Sequence, residues 1–141
     1  MKNINIVLID DYRADFVKDY LELYLWELNI SVQSKIFYIL NDESKAYITD
    51  VNNAVNIVIM EPYHEIAHRT EWNPESIIQN QIKFIQSVEH IPFLLLTTQN
   101  EQLMKWYLST NNITYLRKSL EYTNPFNERI LQAINDNKIR K

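Results

Sequence analysis

The sequence predicts an α/β domain built on five parallel strands, with helices covering both faces of the sheet. Strand-like and helix-like patterns alternate along all 141 residues. The strongest strands are short apolar runs of the kind that are buried on both faces. Such alternation favours βα units joined by right-handed crossovers. Because neither a repeat nor a linker interrupts the pattern, we expect one domain, residues 1–141.

The first half of the chain contains three predicted strands and two predicted helices. We expect strands at 4–9, 31–38 and 55–60, and helices at 13–28 and 42–53. The first helix has an apolar face with i, i+3, i+4, i+7 spacing, made of Val17, Tyr20, Leu21, Tyr24 and Leu28. The second helix has N-cap candidates in Asn41 and Asp42.

The second half adds a helix with a clear start, then two strands and two helices. Asn73-Pro74-Glu75 supplies a cap, a proline for the first helical position and an acid for the first turn. Ile78, Ile82 and Ile85 form the apolar stripe of that helix. Strands follow at 92–97 and 113–117, and helices near 100–110 and 125–137.

Polar residues stand where four of the predicted strands end. In chain order they are Asp10 and Asp11, Glu61, Thr97 and Thr98, and Arg117 and Lys118. Binding sites of open α/β sheets form at the edge where the carboxyl ends of the strands meet. We therefore expect three carboxylates, a hydroxyl and an ammonium to converge at this edge.

The composition and net charge of the chain exclude several classes of function and site. A net charge of -4 argues against direct nucleic-acid binding, and the lack of cysteine excludes disulfides, thiolate metal sites and a cysteine nucleophile. No run approaches the roughly 18 apolar residues of a membrane span, and no signal peptide is apparent, so we expect a cytoplasmic protein. The absence of glycine excludes glycine-rich phosphate loops and leaves left-handed turns to asparagine.

The strand ends resemble those of the receiver domain of bacterial two-component response regulators, and the resemblance covers nearly the whole chain. Residues 6–11 resemble the first strand with its acidic pair, 56–61 the third strand with its phosphoacceptor position, and 91–97 the fourth strand with its hydroxyl. Lys118 matches the lysine that follows the fifth strand in the family, and Tyr115 stands where many members carry an aromatic switch residue.

This resemblance implies a flavodoxin-like fold with strand order 2-1-3-4-5, and signal transduction rather than catalysis. It implies that Asp10 and Asp11 bind Mg²⁺, that the acceptor carboxylate takes a phosphoryl group, and that Thr97 and Lys118 bind the phosphoryl oxygens. It also implies a protein partner, which would be a histidine kinase, a phosphotransfer protein or a downstream effector.

The acceptor position departs from the family, because Glu61 stands where receivers carry aspartate. The extra methylene moves the carboxylate outward by roughly 1.5 Å, and group transfer is sensitive to a displacement of about 1 Å. We therefore expect that the chain is not phosphorylated in the usual way. Two interpretations stay open: Glu61 pairs with Lys118 or Thr97 and holds an active-like state, or it is a solvated, inert carboxylate neutralised by Lys118.

A second motif predicts a different function. His64-Glu65-Ile66-Ala67-His68 fits the pattern of zinc peptidases, in which two histidines on one helix face bind Zn²⁺ and the glutamate acts as base. Pro62 precedes the motif closely, which permits a helix start but not a helix interior. The alternative function is thus a small zinc-dependent metallopeptidase. The competing interpretation of this motif is two surface histidines in a loop insertion, with no zinc site.

The fourth helix is more apolar than one buried face requires, because Trp106 is followed by Tyr107 and Leu108. Receivers commonly dimerise through the fourth helix, fifth strand and fifth helix. The resemblance therefore implies a homodimer through that face, unless Trp106 packs on its own domain. A third functional class, a structural adaptor with a degenerate receiver fold, would differ in lacking any change of state.

Overall fold

The computed structural model describes residues 2–11, 13–62, 74–97, 101–118 and 122–139. One parallel sheet contains β1 (Lys2–Ile9), β2 (Ile30–Phe37), β3 (Val55–Met60), β4 (Phe93–Thr97) and β5 (Ile113–Arg117). The helices in these ranges are α1 (Arg13–Glu27), α2 (Asp42–Thr49), α3 (Pro74–Ser87), α4 (Glu101–Leu108) and α5 (Asn124–Ile139). The strand order is β2-β1-β3-β4-β5, which confirms the predicted fold and order.

Helices cover the sheet on both faces. Side chains alternate along β1, so Ile6 and Leu8 pack with α1 and α5, whereas Val7 and Ile9 pack with α2, α3 and α4. Both faces of the central strands are therefore buried, which explains why these strands are continuous apolar runs. None of the helices in the described ranges has both the length and the apolar character needed to cross a membrane.

The helix predicted at 42–53 is shorter in the structure. Asn41 caps its start, because its side chain accepts from the backbone N–H of Ser44 at 3.0 Å. The helix ends at Thr49, and a separate 3₁₀ turn covers Val51–Asn53. Asp50 causes the break, since its backbone is extended and its carboxylate accepts from the N–H of Asn52 at 2.9 Å. Side-chain capping of this kind competes with a continued helix.

Two smaller predictions were wrong. Leu28 is 47% exposed rather than buried, because α1 ends at Glu27 and Asn29 turns the chain away in a left-handed conformation (φ 63°). The buried row of α1 consists of Ala14, Val17, Leu21 and Leu25. Left-handed positions in the described chain are not reserved for asparagine either, since Ala54 (φ 47°) and Tyr122 (φ 67°) also occupy them.

Candidate functional site at the carboxyl edge of the sheet

The sheet brings the predicted polar residues to one edge. Asp10 follows β1 and Glu61 follows β3, while Thr97 ends β4 and Lys118 follows β5. Backbone hydrogen bonds hold the two acidic positions in place: Glu61 N–H donates to the carbonyl of Ile9 at 2.9 Å, and Asp10 N–H donates to the carbonyl of Phe37 at 3.0 Å. The backbone after β3 is therefore fixed against its neighbour β1.

The Glu61 carboxylate lies between the hydroxyl and the ammonium. Thr97 Oγ1 donates to Glu61 Oε1 at 2.6 Å, and Lys118 Nζ lies 3.7 Å from Glu61 Oε2. All three side chains are buried, with Thr97 fully enclosed. A buried carboxylate is stable only where donors and positive charge compensate its lost hydration, and these two groups supply both.

Lys118 also contacts the first acid of the pair. Its Nζ donates to Asp10 Oδ2 at 2.7 Å, a shorter contact than the one with Glu61. Formally, two buried carboxylates thus share one buried ammonium. The site retains a formal excess of negative charge, which opposes the approach of an anionic phosphoryl donor.

Asp11 has a local role at the start of α1. Its Oδ1 accepts from the backbone N–H of Arg13 at 2.9 Å, and its carbonyl accepts from Ala14 N–H at 2.9 Å. A carboxylate in this position caps the helix start and complements its dipole. Its own N–H donates to Asp10 Oδ1 at 2.7 Å, so the acidic pair is linked internally.

Both carboxylate oxygens of Asp10, the first acid of the pair, already accept from protein donors. An ammonium contacts one oxygen of Asp10 and a backbone N–H contacts the other. In the part of the chain that the structure describes, no group of three histidine, cysteine, aspartate or glutamate side chains is placed to hold a metal. Because Mg²⁺ requires near-octahedral oxygen ligands, Lys118 would have to release Asp10 before the ion could bind there. Magnesium binding by Asp10 and Asp11 stays a prediction.

Tyr115 is half-buried on β5. Its backbone is in register with Leu95 of β4, and its ring packs against the core cluster on the side of α2, α3 and α4. Arg129 of α5 donates from Nη1 to the Tyr115 carbonyl at 3.3 Å. Tyr115 therefore contacts the core cluster through its ring and α5, on the other face of the sheet, through its backbone carbonyl.

Sequence reasoning missed one buried polar link near the site. Gln81 of α3 donates from Nε2 to the carbonyl of Pro62 at 3.3 Å and accepts from the Tyr107 hydroxyl at 2.5 Å. Both side chains are buried. The signal was present in the sequence, because Gln81 interrupts the apolar stripe of α3 between Ile78 and Ile82. A polar residue at a core position requires a buried partner.

The residues of the zinc-peptidase pattern lie outside the described ranges. His64, Glu65 and His68 all fall between Pro62 and the start of α3. The structure therefore gives no geometry for that motif.

Comparisons with known proteins agree on the fold. No family model matches the chain, and no curated protein matches it either. Among solved structures, a two-component response regulator from Clostridium difficile has 18% identity and a TM-score of 0.53, over 98% of this chain and 97% of that one.

Two further structures have similar scores. The signal receiver domain of a modulated diguanylate cyclase from Desulfovibrio desulfuricans G20 has 15% identity and a TM-score of 0.56, over 97% of this chain and 98% of that one. A protein assigned to pilus assembly (cpaE) from Burkholderia thailandensis E264 has 15% identity and a TM-score of 0.59, over 96% of this chain and 99% of that one. The chain thus has, over almost its full length, the fold of signal receiver domains that its sequence resembles.

Proposed function

We propose that this chain is a receiver-type signalling module whose state is set by Glu61 instead of by phosphoryl transfer. One observation carries the proposal: the Glu61 carboxylate contacts both Thr97 and Lys118. The family resemblance assigns these two groups to phosphoryl oxygens. Glu61 thus uses its own oxygens to satisfy the groups that would otherwise bind the product of phosphorylation.

The same contacts oppose phosphorylation of Glu61. A nucleophilic carboxylate needs a free oxygen in line with the donor, and in-line transfer loses rate when the attacking atom is displaced by about 1 Å. Here the Thr97 hydroxyl contacts one oxygen at 2.6 Å, and the ammonium of Lys118 lies 3.7 Å from the other. We therefore expect no stable phosphoryl group on the native chain.

The module would act through protein contacts rather than turnover. On α4, Trp106 is 43% exposed and Leu108 is also exposed, so the helix offers an apolar surface next to β5. Tryptophan is enriched among residues that dominate binding energy. We propose the face formed by α4, β5 and α5 as the surface through which the state of Glu61 is transmitted, to a second copy or to an effector.

Restoring the shorter side chain tests the proposal directly. Wild type, Glu61→Asp, Glu61→Gln and Glu61→Ala are incubated with acetyl phosphate and Mg²⁺ and run on Phos-tag gels. We expect a shifted band only for Glu61→Asp. A shifted band in wild type that disappears in Glu61→Gln would overturn the proposal.

The readout of state is the oligomer distribution and the amide exchange of α4 and β5. We expect wild type to differ from Glu61→Ala, because the alanine removes the partner of Thr97 and Lys118. If these measurements agree for wild type, Glu61→Gln and Glu61→Ala, the chain is a static adaptor and the proposed switch is wrong.

Zinc analysis of purified protein tests the peptidase alternative, which requires about one tightly held Zn²⁺ that is lost on His64→Ala.

A further inference from the structure

A groove crosses the outer surface of α3, from the start of α2 to α4. It consists of two adjoining cavities of about 780 and 540 Å³, and Asn80 and Lys83 of α3 line both of them. The larger cavity lies against α4 and the smaller one against α2. The larger volume falls in the range of roughly 300–1,000 Å³ that is typical of small-molecule sites. The described residues that line the groove are distinct from those of the site at the carboxyl edge of the sheet.

The groove is positively charged in a chain that is acidic as a whole. The described charged residues along it are Lys45, Lys83 and Lys105, with one acid, Asp42. Three lysines against one acid give the groove a formal charge of +2, whereas the net charge of the chain is -4. Among the ion pairs that join described residues, none involves these lysines. A cleft with one sign of charge concentrates ligands of the opposite sign, so this groove favours anions.

Each cavity also contains an aromatic ring. Trp106 of α4 lines the larger cavity and is 43% exposed, so part of its indole is open to solvent. In the smaller cavity, Lys45 Nζ lies 5.6 Å from the centre of the Phe84 ring, which meets Phe93 of β4 edge-on. A cation–π contact of this kind restrains the ammonium beside the groove. One end of the groove therefore offers an exposed ring, and the other end offers a restrained cation.

Neutral polar side chains surround the exposed ring. Gln79 and Gln86 of α3 and Ser109, which follows α4, line the larger cavity together with Trp106. Amide and hydroxyl groups can both donate and accept hydrogen bonds. They can therefore match the mixed donors and acceptors along the edge of a heterocyclic base, which a purely cationic surface could not do.

We propose that this groove binds a nucleoside triphosphate, with its base stacked on Trp106 and its phosphate chain extending past Lys83 toward Lys45. Bases of any identity stack on exposed aromatic rings, and lysine binds phosphate as a point charge. Because Lys83 lines both cavities, the phosphate chain can follow the lysines from one cavity into the next. An acidic peptide would satisfy the lysines but leave the ring and the amides unused. The inference goes beyond the proposed function and requires nothing of Glu61.

Titration calorimetry of the full chain with ATP and with inorganic triphosphate tests base recognition, in EDTA so that no metal ion takes part. We expect ATP to bind more tightly, and Trp106→Leu to weaken ATP by at least about tenfold while triphosphate is unaffected. Trp26→Leu is the matched control, because Trp26 is also exposed but lies on α1. No ATP binding up to about 1 mM, triphosphate binding as tight as that of ATP, or equal losses in both tryptophan variants would overturn the proposal.

Lysine substitutions test the path of the phosphate chain independently. Lys45→Gln should weaken ATP by at least about fivefold and leave AMP unchanged, because a single phosphate stays in the larger cavity, whereas Lys83→Gln should weaken both. Lys18→Gln makes the same change in net charge on α1, across the sheet from the groove, and should bind both ligands as wild type does. Equal losses in Lys18→Gln and Lys45→Gln would mean bulk attraction and no site. A polyglutamate peptide that binds more tightly than ATP, and loses this affinity in Lys83→Gln, would assign the groove to acidic proteins and equally overturn the proposal.

Discussion

Thr97 donates a 2.6 Å hydrogen bond to Glu61, and this buried contact links the end of β4 to the residue after β3. The Glu61 side chain is buried. It is therefore not the solvated carboxylate that one of the two sequence interpretations described. The extra methylene of glutamate lengthens the reach of its carboxylate, and the contact is made at the position where the chain departs from the receiver pattern. The structure places Glu61 in contact with Thr97 and Lys118, and the active-like state stays a prediction.

Replacing Thr97 by valine should destabilise the chain by about 1.5–3 kcal/mol, the usual contribution of a hydrogen bond to a charged group. The shape of the side chain is kept, but Glu61 loses a donor inside the protein. Urea unfolding gives the free energy. Thr49→Val is the matched control, since the exposed Thr49 hydroxyl donates within its own helix, and we expect a change within about 0.5 kcal/mol. Equal effects would contradict the assigned role of Thr97.

Replacing Lys118 should lower the free energy of unfolding more than replacing Thr97 does. Lys118→Met leaves the carboxylates of Asp10 and Glu61 buried without their shared ammonium, and breaking a buried pair costs about 3–5 kcal/mol. Lys18→Met removes an exposed i, i+4 contact with Glu22 and should cost at most about 0.5 kcal/mol.

A double-mutant cycle separates the Lys118 pair from general packing. Asp10→Asn combined with Lys118→Met should recover part of the lost free energy, because one uncompensated charge is removed as well. Strict additivity in thermal or urea unfolding would show that Asp10 and Lys118 are not coupled.

The sequence predicted the strand ends well because burial on both faces leaves an unambiguous apolar run, and the polar residue after it marks the edge. Helix ends were harder, because the carboxylate of Asp50 decides where α2 stops through one local hydrogen bond. A contact of Lys118 with Glu61 was proposed from the sequence, but its closer contact with Asp10 was not. Whether its ammonium lies closer to Asp10 or to Glu61 depends on side-chain reach across three strands, which no spacing along the chain encodes.

The exposed apolar residues of α1 show a related limit of prediction from sequence. The sequence placed Tyr20 and Tyr24 on the buried face, and both are half-buried. Periodicity alone could not separate this face from the exposed row of Phe16, Leu23 and Trp26, because apolar residues surround much of the helix. Only the position of the sheet decides which row is covered.

Magnesium binding should depend on Lys118. Because its ammonium neutralises Asp10 at 2.7 Å, we expect weak binding to wild type, and binding tighter by about tenfold for Lys118→Gln. Calorimetric titration measures both. Lys105→Gln removes an exposed lysine on α4 and should leave the affinity unchanged. Tighter binding that persists after Asp10→Asn/Asp11→Asn is added to Lys118→Gln would place the ion elsewhere.

The link from Pro62 through Gln81 to Tyr107 should stabilise α3 and α4 against each other and against the residue after Glu61. Tyr107→Phe keeps the ring but removes the donor to a buried amide oxygen, so we expect a loss of about 1–3 kcal/mol and faster amide exchange in α4. Tyr24→Phe is the control, because the structure shows no hydrogen bond of that hydroxyl to any described residue.

Adding Gln81→Leu to Tyr107→Phe should then restore part of the stability, since replacing both polar partners by apolar groups removes the unsatisfied oxygen. Pro62 would then lack its donor, so recovery should be incomplete, and amide exchange near Glu61 should be faster than in wild type. If the double variant is instead as unstable as the sum of the two single variants, Gln81 and Tyr107 act separately and the link does not exist as a unit.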